Sequence, residues 1–279
     1  MEEVNNMIKY LDMKISIAII IALILYSIVV PFTKPYDPRA WNVVPRDQPP
    51  SLQYPFGTTS TGQDVFLLTA WALRNTLLLG TIASIMLVLI SFTIGSIAGA
   101  TRNALLRAIL TYLIDSFCII PFLPILIMVA SLWRERLGII GTALIIAVLG
   151  WGGQSRNVRS VIMGLRERTF TYTATFSGYS IFKTIYKSYL PYIVQWLSVA
   201  FIFGIIFCTG LETTLSVFGI TSLENPTIGT IIFWTREYQA YLRGLWWWYT
   251  FPLIFFIILL ASLYIIVRRL VSIFIIREV

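Results

Sequence analysis

The chain has 279 residues, a formal net charge of +8, 57% hydrophobic residues and only 12% charged ones. With a mean hydropathy of +0.80, this balance excludes an ordinary water-soluble domain, in which about a quarter of residues are charged. Histidine is absent, which removes the commonest general base and transition-metal ligand.

Crossing roughly 30 Å of hydrocarbon takes about 20 apolar residues in a helix. Six segments meet this description, at about 15–33, 76–99, 108–131, 138–153, 192–219 and 247–267. The first is too long for a signal-peptide core, and Pro31-Phe32-Thr33-Lys34 offers no small-x-small cleavage site. It reads as a retained span. The loop that follows holds six prolines between Pro35 and Pro55, which favours extended, irregular chain. Trp41, Tyr54 and Phe56 give that loop packing groups, so an ordered layer over the helix ends is expected.

The second segment contains Gly80, Gly95 and Gly99 among alanines and serines. Small residues let helix backbones approach closely in lipid, so this helix should pack tightly within the protein. The third carries Asp115, Pro121 and Pro124, and the fifth carries Glu212. A carboxylate at membrane depth costs roughly 2.5–3.5 kcal/mol on insertion scales, so it faces the protein interior or a wet cavity. Asp115 and Glu212 are therefore either hydrogen-bonded packing groups or parts of a translocation path. The fourth segment is short and glycine-rich. Cys118 and Cys208 lie inside apolar runs and read as inert thiols rather than metal ligands or a disulfide.

Residues 222–244 are too broken for a span and suit a short re-entrant or interfacial helix. Trp246-Trp247-Trp248-Tyr249 then opens the last span as an interfacial belt. With the N-terminus inside, thirteen of the 21 basic residues fall on the cytoplasmic side, which places both termini in the cytoplasm. The other eight include Arg134 and Arg136, offset by Glu135 and other acids. Topology-setting charge explains the excess better than a nucleic-acid surface does.

The polar stretch from Arg166 to Pro191 separates the fourth and fifth segments. Thr171 to Phe176 suits one or two helical turns. Gly178 suits a turn with positive φ, and Ser180 an N-cap. Tyr179, Phe182, Tyr186 and Tyr189 recur at helical spacing beside Lys183 and Lys187. A short helix on a bend fits a groove on another protein, or equally the membrane surface.

This stretch resembles the EAA-type loop of permease subunits of ABC importers of the dipeptide/oligopeptide class. Thr173-Ala174, Gly178, Leu190 and Pro191 fall at that motif's spacings, while Tyr172, Ser188 and Tyr192 replace its glutamate, histidine and asparagine. Pro35-Tyr36-Asp37-Pro38, Phe56-Gly57-Thr58, Gly62-Gln63-Asp64 and Ala72 to Leu77 resemble the family's patterns upstream. Asp115, Pro121, Ser155-Arg156, Arg159, Glu212 to Ser216, Gly219, Pro226 and Gly229 continue the likeness in order. The apolar ending IFIIREV departs from the family's acidic one.

The resemblance implies an all-α integral membrane protein of six transmembrane helices, with a cytoplasmic coupling helix between the fourth and fifth. Residues 1–70 form an N-terminal span with its external loop, and 71–279 a five-helix core with the coupling helix at about 166–190. It further implies a sister permease, two cytoplasmic ATPases and an extracellular substrate-binding protein, with a small hydrophilic solute moved by alternating access. Phe170, Tyr172, Thr173, Ala174, Gly178, Tyr179 and Phe182 are the expected coupling residues. No GxxxxGK[ST] sequence occurs, so ATP and Mg are expected on the partner ATPases and no cofactor on this chain. Without the resemblance, a stand-alone secondary transporter or channel is the alternative, although no internal repeat supports it. A membrane enzyme lacks a visible catalytic cluster.

Overall fold

The computed structural model describes residues 2–133 and 138–278; Arg134, Glu135 and Arg136 lie outside them. Ten α-helices carry the described chain: α1 (Glu2–Val29), α2 (Val65–Ala100), α3 (Ala104–Ile119), α4 (Phe122–Leu132), α5 (Ile139–Arg166), α6 (Thr169–Phe176), α7 (Ile181–Thr184), α8 (Leu190–Val217), α9 (Ile228–Glu237) and α10 (Trp246–Glu278). A 3-10 turn at Val30–Phe32 ends α1, and a π turn at Ile185–Tyr189 joins α7 to α8. Extended pairing among the described residues is limited to one bridge between Thr58 and Asp64.

Four of these helices are long and apolar enough to cross a membrane, or five if α3 and α4 count as one broken span. The third expected segment is thus two helices, bent by 83°. Pro121 explains the break, because it supplies no N–H to the preceding turn and disfavours α geometry at Ile120. Only the first half of α5 is apolar, and this 28-residue helix is not among the four.

The 36-residue α2 is the central post. It starts at Val65, well before the apolar run expected at 76, because Asp64 caps it by accepting from the Phe66 N–H at 2.9 Å. Two polar residues near its start are satisfied inside the protein. Asn75 donates to the Pro226 carbonyl at 2.8 Å, and the Thr76 hydroxyl accepts from the Ile228 N–H at 3.1 Å.

Small residues set the neighbours of α2. Gly95 faces Ser155 and Val158 of α5, and Gly99 faces Arg159 and Ile162, so α2 and α5 run parallel. Gly80 faces Thr209 of α8 while Gly204 faces Ser84, which makes α8 antiparallel to α2. The glycines therefore serve close packing within the chain, as expected. On the flank, α1 and α10 run antiparallel, tied by Tyr26 against Phe255 near one end and by the Asp12–Arg269 ion pair near the other.

Residues 33–64 form an ordered cap over the bundle end where α2 and α10 begin. Phe56 stacks on Phe251 at 4.1 Å, and Trp41 meets Trp234 edge-on at 5.1 Å. The Trp247 indole donates to the Thr58 carbonyl at 3.1 Å, and Arg243 bonds Asp47 and Ser60. Asp64, with a fully buried side chain, also pairs with Lys34 at 2.9 Å. That bond and charge outweigh the effect of burial and hold the Lys34 ammonium above its ordinary pKa. The expected short helix in 222–244 is α9, started by a capping box between Thr227 and Thr230.

Candidate functional site

The stretch from Arg166 to Pro191 lies at the end opposite the loop cap and is built as two limbs meeting at Gly178. The first limb is α6. It ends because Gly178 takes φ +70°, and the Tyr179 N–H then returns to the Ala174 carbonyl at 3.1 Å. This six-to-one closure is the Schellman arrangement, for which glycine carries no Cβ penalty. The second limb starts at Ser180, whose hydroxyl accepts from the Lys183 N–H. The expected bend and cap are both present.

The expected aromatic stripe is not one face. Tyr189 is only 1% exposed and packs with Ile185, Val158, Ile162 and Ile193, whereas Phe182 and Tyr186 are 68% and 71% exposed. The π turn between them widens the helix by one residue per turn, so the inward side becomes Ile185 and Tyr189 while Phe182 and Tyr186 point away. On α6, Tyr172 and Phe176 are also exposed, Phe176 at 88%. Each limb thus offers two uncovered aromatics four residues apart. Phe176 and Tyr186 are not among the expected coupling residues, although their i, i+4 relation to Tyr172 and Phe182 is visible in the sequence.

Of the other expected coupling residues, Phe170 stacks on Tyr192 at 4.8 Å and Ala174 is buried. Both support the segment from within. Thr173 is exposed, its hydroxyl donating to the Phe170 carbonyl at 2.8 Å. Tyr179 is half-buried beneath the Lys183 ammonium, 4.0 Å from its ring centroid. An open hollow of about 440 Å³ lies between α6 and the start of α8, bordered by Phe170, Tyr179, Lys187 and Tyr192.

The two expected acids are placed differently. Asp115 on α3 accepts from Arg156 of α5 at 2.8 Å, and both side chains are about half exposed. Glu212 is buried near the loop-capped end of α8, where one carboxylate oxygen accepts from the Ser216 and Thr227 hydroxyls, each at 2.6 Å. Thr227 is also the cap of α9, so Glu212 ties that short helix to α8. Beside α9, a cavity of about 430 Å³ is lined by Arg39, Trp41, Glu224, Trp234 and Trp248.

A family described as "Binding-protein-dependent transport system inner membrane component" matches residues 91–277, which include the bent segment and Glu212. The chain belongs to this family. As a binding-protein-dependent transport component it is a multi-pass membrane protein of the ABC importer permease type. It is 26% identical over 237 residues to the dipeptide transport system permease protein DppC of Bacillus subtilis, covering 85% of this chain and 73% of the relative. It is 26% identical over 216 residues to the oligopeptide transport system permease protein OppC of Mycobacterium tuberculosis, covering 77% and 72%. A putative peptide transport system permease protein of Brucella abortus is 24% identical over 249 residues, covering 89% and 82%.

Proposed function

We propose that this permease crosses the cell membrane six times, with both termini in the cytoplasm, and moves a small hydrophilic solute inward by alternating access. The passes are α1, α2, the bent pair α3–α4, α5, α8 and α10. The loop cap and α9 then face outward, where a substrate-binding protein delivers cargo, and the bent segment faces the cytoplasm. A sister permease completes the pathway, and two partner ATPases bind ATP with Mg. The names of the relatives favour short peptides as cargo over oligosaccharides.

One observation carries this reading: Tyr172, Phe176, Phe182 and Tyr186 stand uncovered on two short limbs braced against α5 and α8. Exposed aromatics on a rigid bend suit a hydrophobic cleft on another protein. Closure of the ATPases would pull on the limbs, and the Ile185–Tyr189–Ile193 seam would pass the motion to α5 and α8. Asp115 and Arg156, a charged pair left half open to the surroundings, are the path-lining candidates.

The test is reconstitution with the partner subunits, comparing wild type with Phe182→Ser plus Tyr186→Ser. Both side chains are exposed, so the variant should fold and insert normally while uptake falls at least tenfold and ATP hydrolysis loses its response to cargo. Undiminished uptake would overturn the coupling role. Uptake by the chain alone, driven by an ion gradient, would instead establish a stand-alone transporter.

A further inference from the structure

The cavity of about 430 Å³ beside α9 lies between the loop cap, α9 and the start of α10. Its size falls within the range of small-molecule sites, roughly 300–1,000 Å³. Leu68, Leu223 and Ile231 give it apolar surface, and Trp41, Trp234 and Trp248 give it aromatic surface.

The polar groups on its wall divide into two sets. Gln63, Thr230 and Arg39 are already engaged. The Gln63 amide donates to the Pro38 and Arg39 carbonyls and accepts from the Thr61 hydroxyl. The Thr230 hydroxyl accepts from the Thr227 N–H and donates to the Thr227 carbonyl. The Arg39 guanidinium pairs with Asp37 at 2.8 Å, which compensates its charge. The second set is unmet. Trp248 is 1% exposed, and its indole N–H is buried with no hydrogen-bond partner among the described residues. Glu224 is exposed on the cavity wall and makes no ion pair among the described residues.

A buried N–H without an acceptor is costly, so an oxygen should complete it. The indole nitrogen donates only, which makes a carbonyl a fitting partner. Glu224 asks for a positive charge, and tryptophan faces attract a cation as well. One chemical group answers both demands: a primary ammonium next to a carbonyl, as at the amino terminus of a peptide. A lysine from another protein would match the charge, but it holds its ammonium far from any carbonyl. A neutral sugar would satisfy the N–H and leave Glu224 unmatched.

We propose that this cavity binds the free amino terminus of a short peptide. Glu224 takes the ammonium, Trp248 donates to the first carbonyl oxygen, and the tryptophan walls hold the first side chain. The site takes its outward placement from the permease reading, while its binding chemistry rests on this wall alone.

The experiment is isothermal titration calorimetry of the full chain in detergent micelles at about pH 6.5, where a peptide amine is charged. Leucyl-leucine should bind saturably, and N-acetyl-leucyl-leucine, which lacks the charged amine, at least about tenfold more weakly. Glu224→Gln alters an exposed side chain, so it should fold, and it should bind the two peptides about equally. Trp248→Phe should weaken leucyl-leucine about three- to tenfold while keeping the preference for the free amine. Should that variant not fold, Glu224→Gln decides alone. No saturable binding, equal affinity of wild type for both peptides, or an unchanged preference in Glu224→Gln would overturn the proposal. Uptake by the reconstituted assembly alongside any of those results would sink this site and leave the permease reading standing; peptide binding without uptake would do the reverse.

Discussion

Gly95→Ala is the sharpest test of the helix packing. A Cβ built at Gly95 lies 2.6 Å from the Ser155 carbonyl oxygen and 2.8 Å from the Val158 Cβ. Ordinary carbon contacts are about 3.5–4.0 Å, so α2 and α5 must part locally by about 1 Å. Overpacking of this kind costs about 1–3 kcal/mol. The greater helix preference of alanine offsets about 0.5–1 kcal/mol of that. The same displacement would stretch the serine links one turn away, where the Ser91 hydroxyl donates to the Trp151 carbonyl at 3.1 Å and the Ser155 hydroxyl to the Ser91 carbonyl at 3.3 Å. A net loss of about 1–2 kcal/mol is expected. Gly153→Ala is the matched control, because a Cβ there meets nothing within 4 Å. Reversible unfolding in mixed micelles should show Gly95→Ala unfolding at a lower SDS fraction than wild type, and Gly153→Ala at an equal or higher one. Equal shifts for the two variants would refute the close-packing argument.

Gly178→Val should cost about 1–2 kcal/mol locally, since φ +70° strains a β-branched residue although space is free. Membrane insertion should persist while transport uncouples from ATP hydrolysis, and unchanged uptake would count against the bend. Gly178→Asp should uncouple more weakly, as aspartate tolerates positive φ better. Asp64→Ala removes the cap of α2 and the partner of Lys34 and Tyr36, so about 2 kcal/mol of stability should be lost, with faster proteolysis of the 34–64 loop. The Lys34 pKa is raised above 10.5, so its contribution is complete below that ordinary value and disappears as pH rises through the higher folded value. Tryptophan fluorescence of the cap should report this alkaline loss in wild type, and Lys34→Met should abolish it.

The bend at Gly178 and the start at Ser180 were legible because they depend on local backbone physics: a residue without Cβ, followed by a hydroxyl able to cap. The same holds for the glycine face of α2 and for the break at Pro121 once its missing N–H is taken seriously. The start of α2 was expected only at 76, just after Asn75, because the partner that satisfies Asn75, Pro226, lies about 150 residues away in the chain. A π turn likewise leaves no period in the sequence, yet it decides that Tyr189 is buried and Tyr186 free.

By itself, the sequence determined that this chain belongs in a membrane, that helices carry it, and that a basic, glycine-bent segment interrupts its spans. Hydrophobic composition and local backbone preference suffice for those conclusions. Only the tertiary structure decided which aromatics the bend leaves uncovered, and that Asp115 pairs with an arginine while Glu212 is buried and held by the Ser216 and Thr227 hydroxyls. Those outcomes depend on which distant side chains come to rest together, and residue spacing along one strand of chain does not encode that directly.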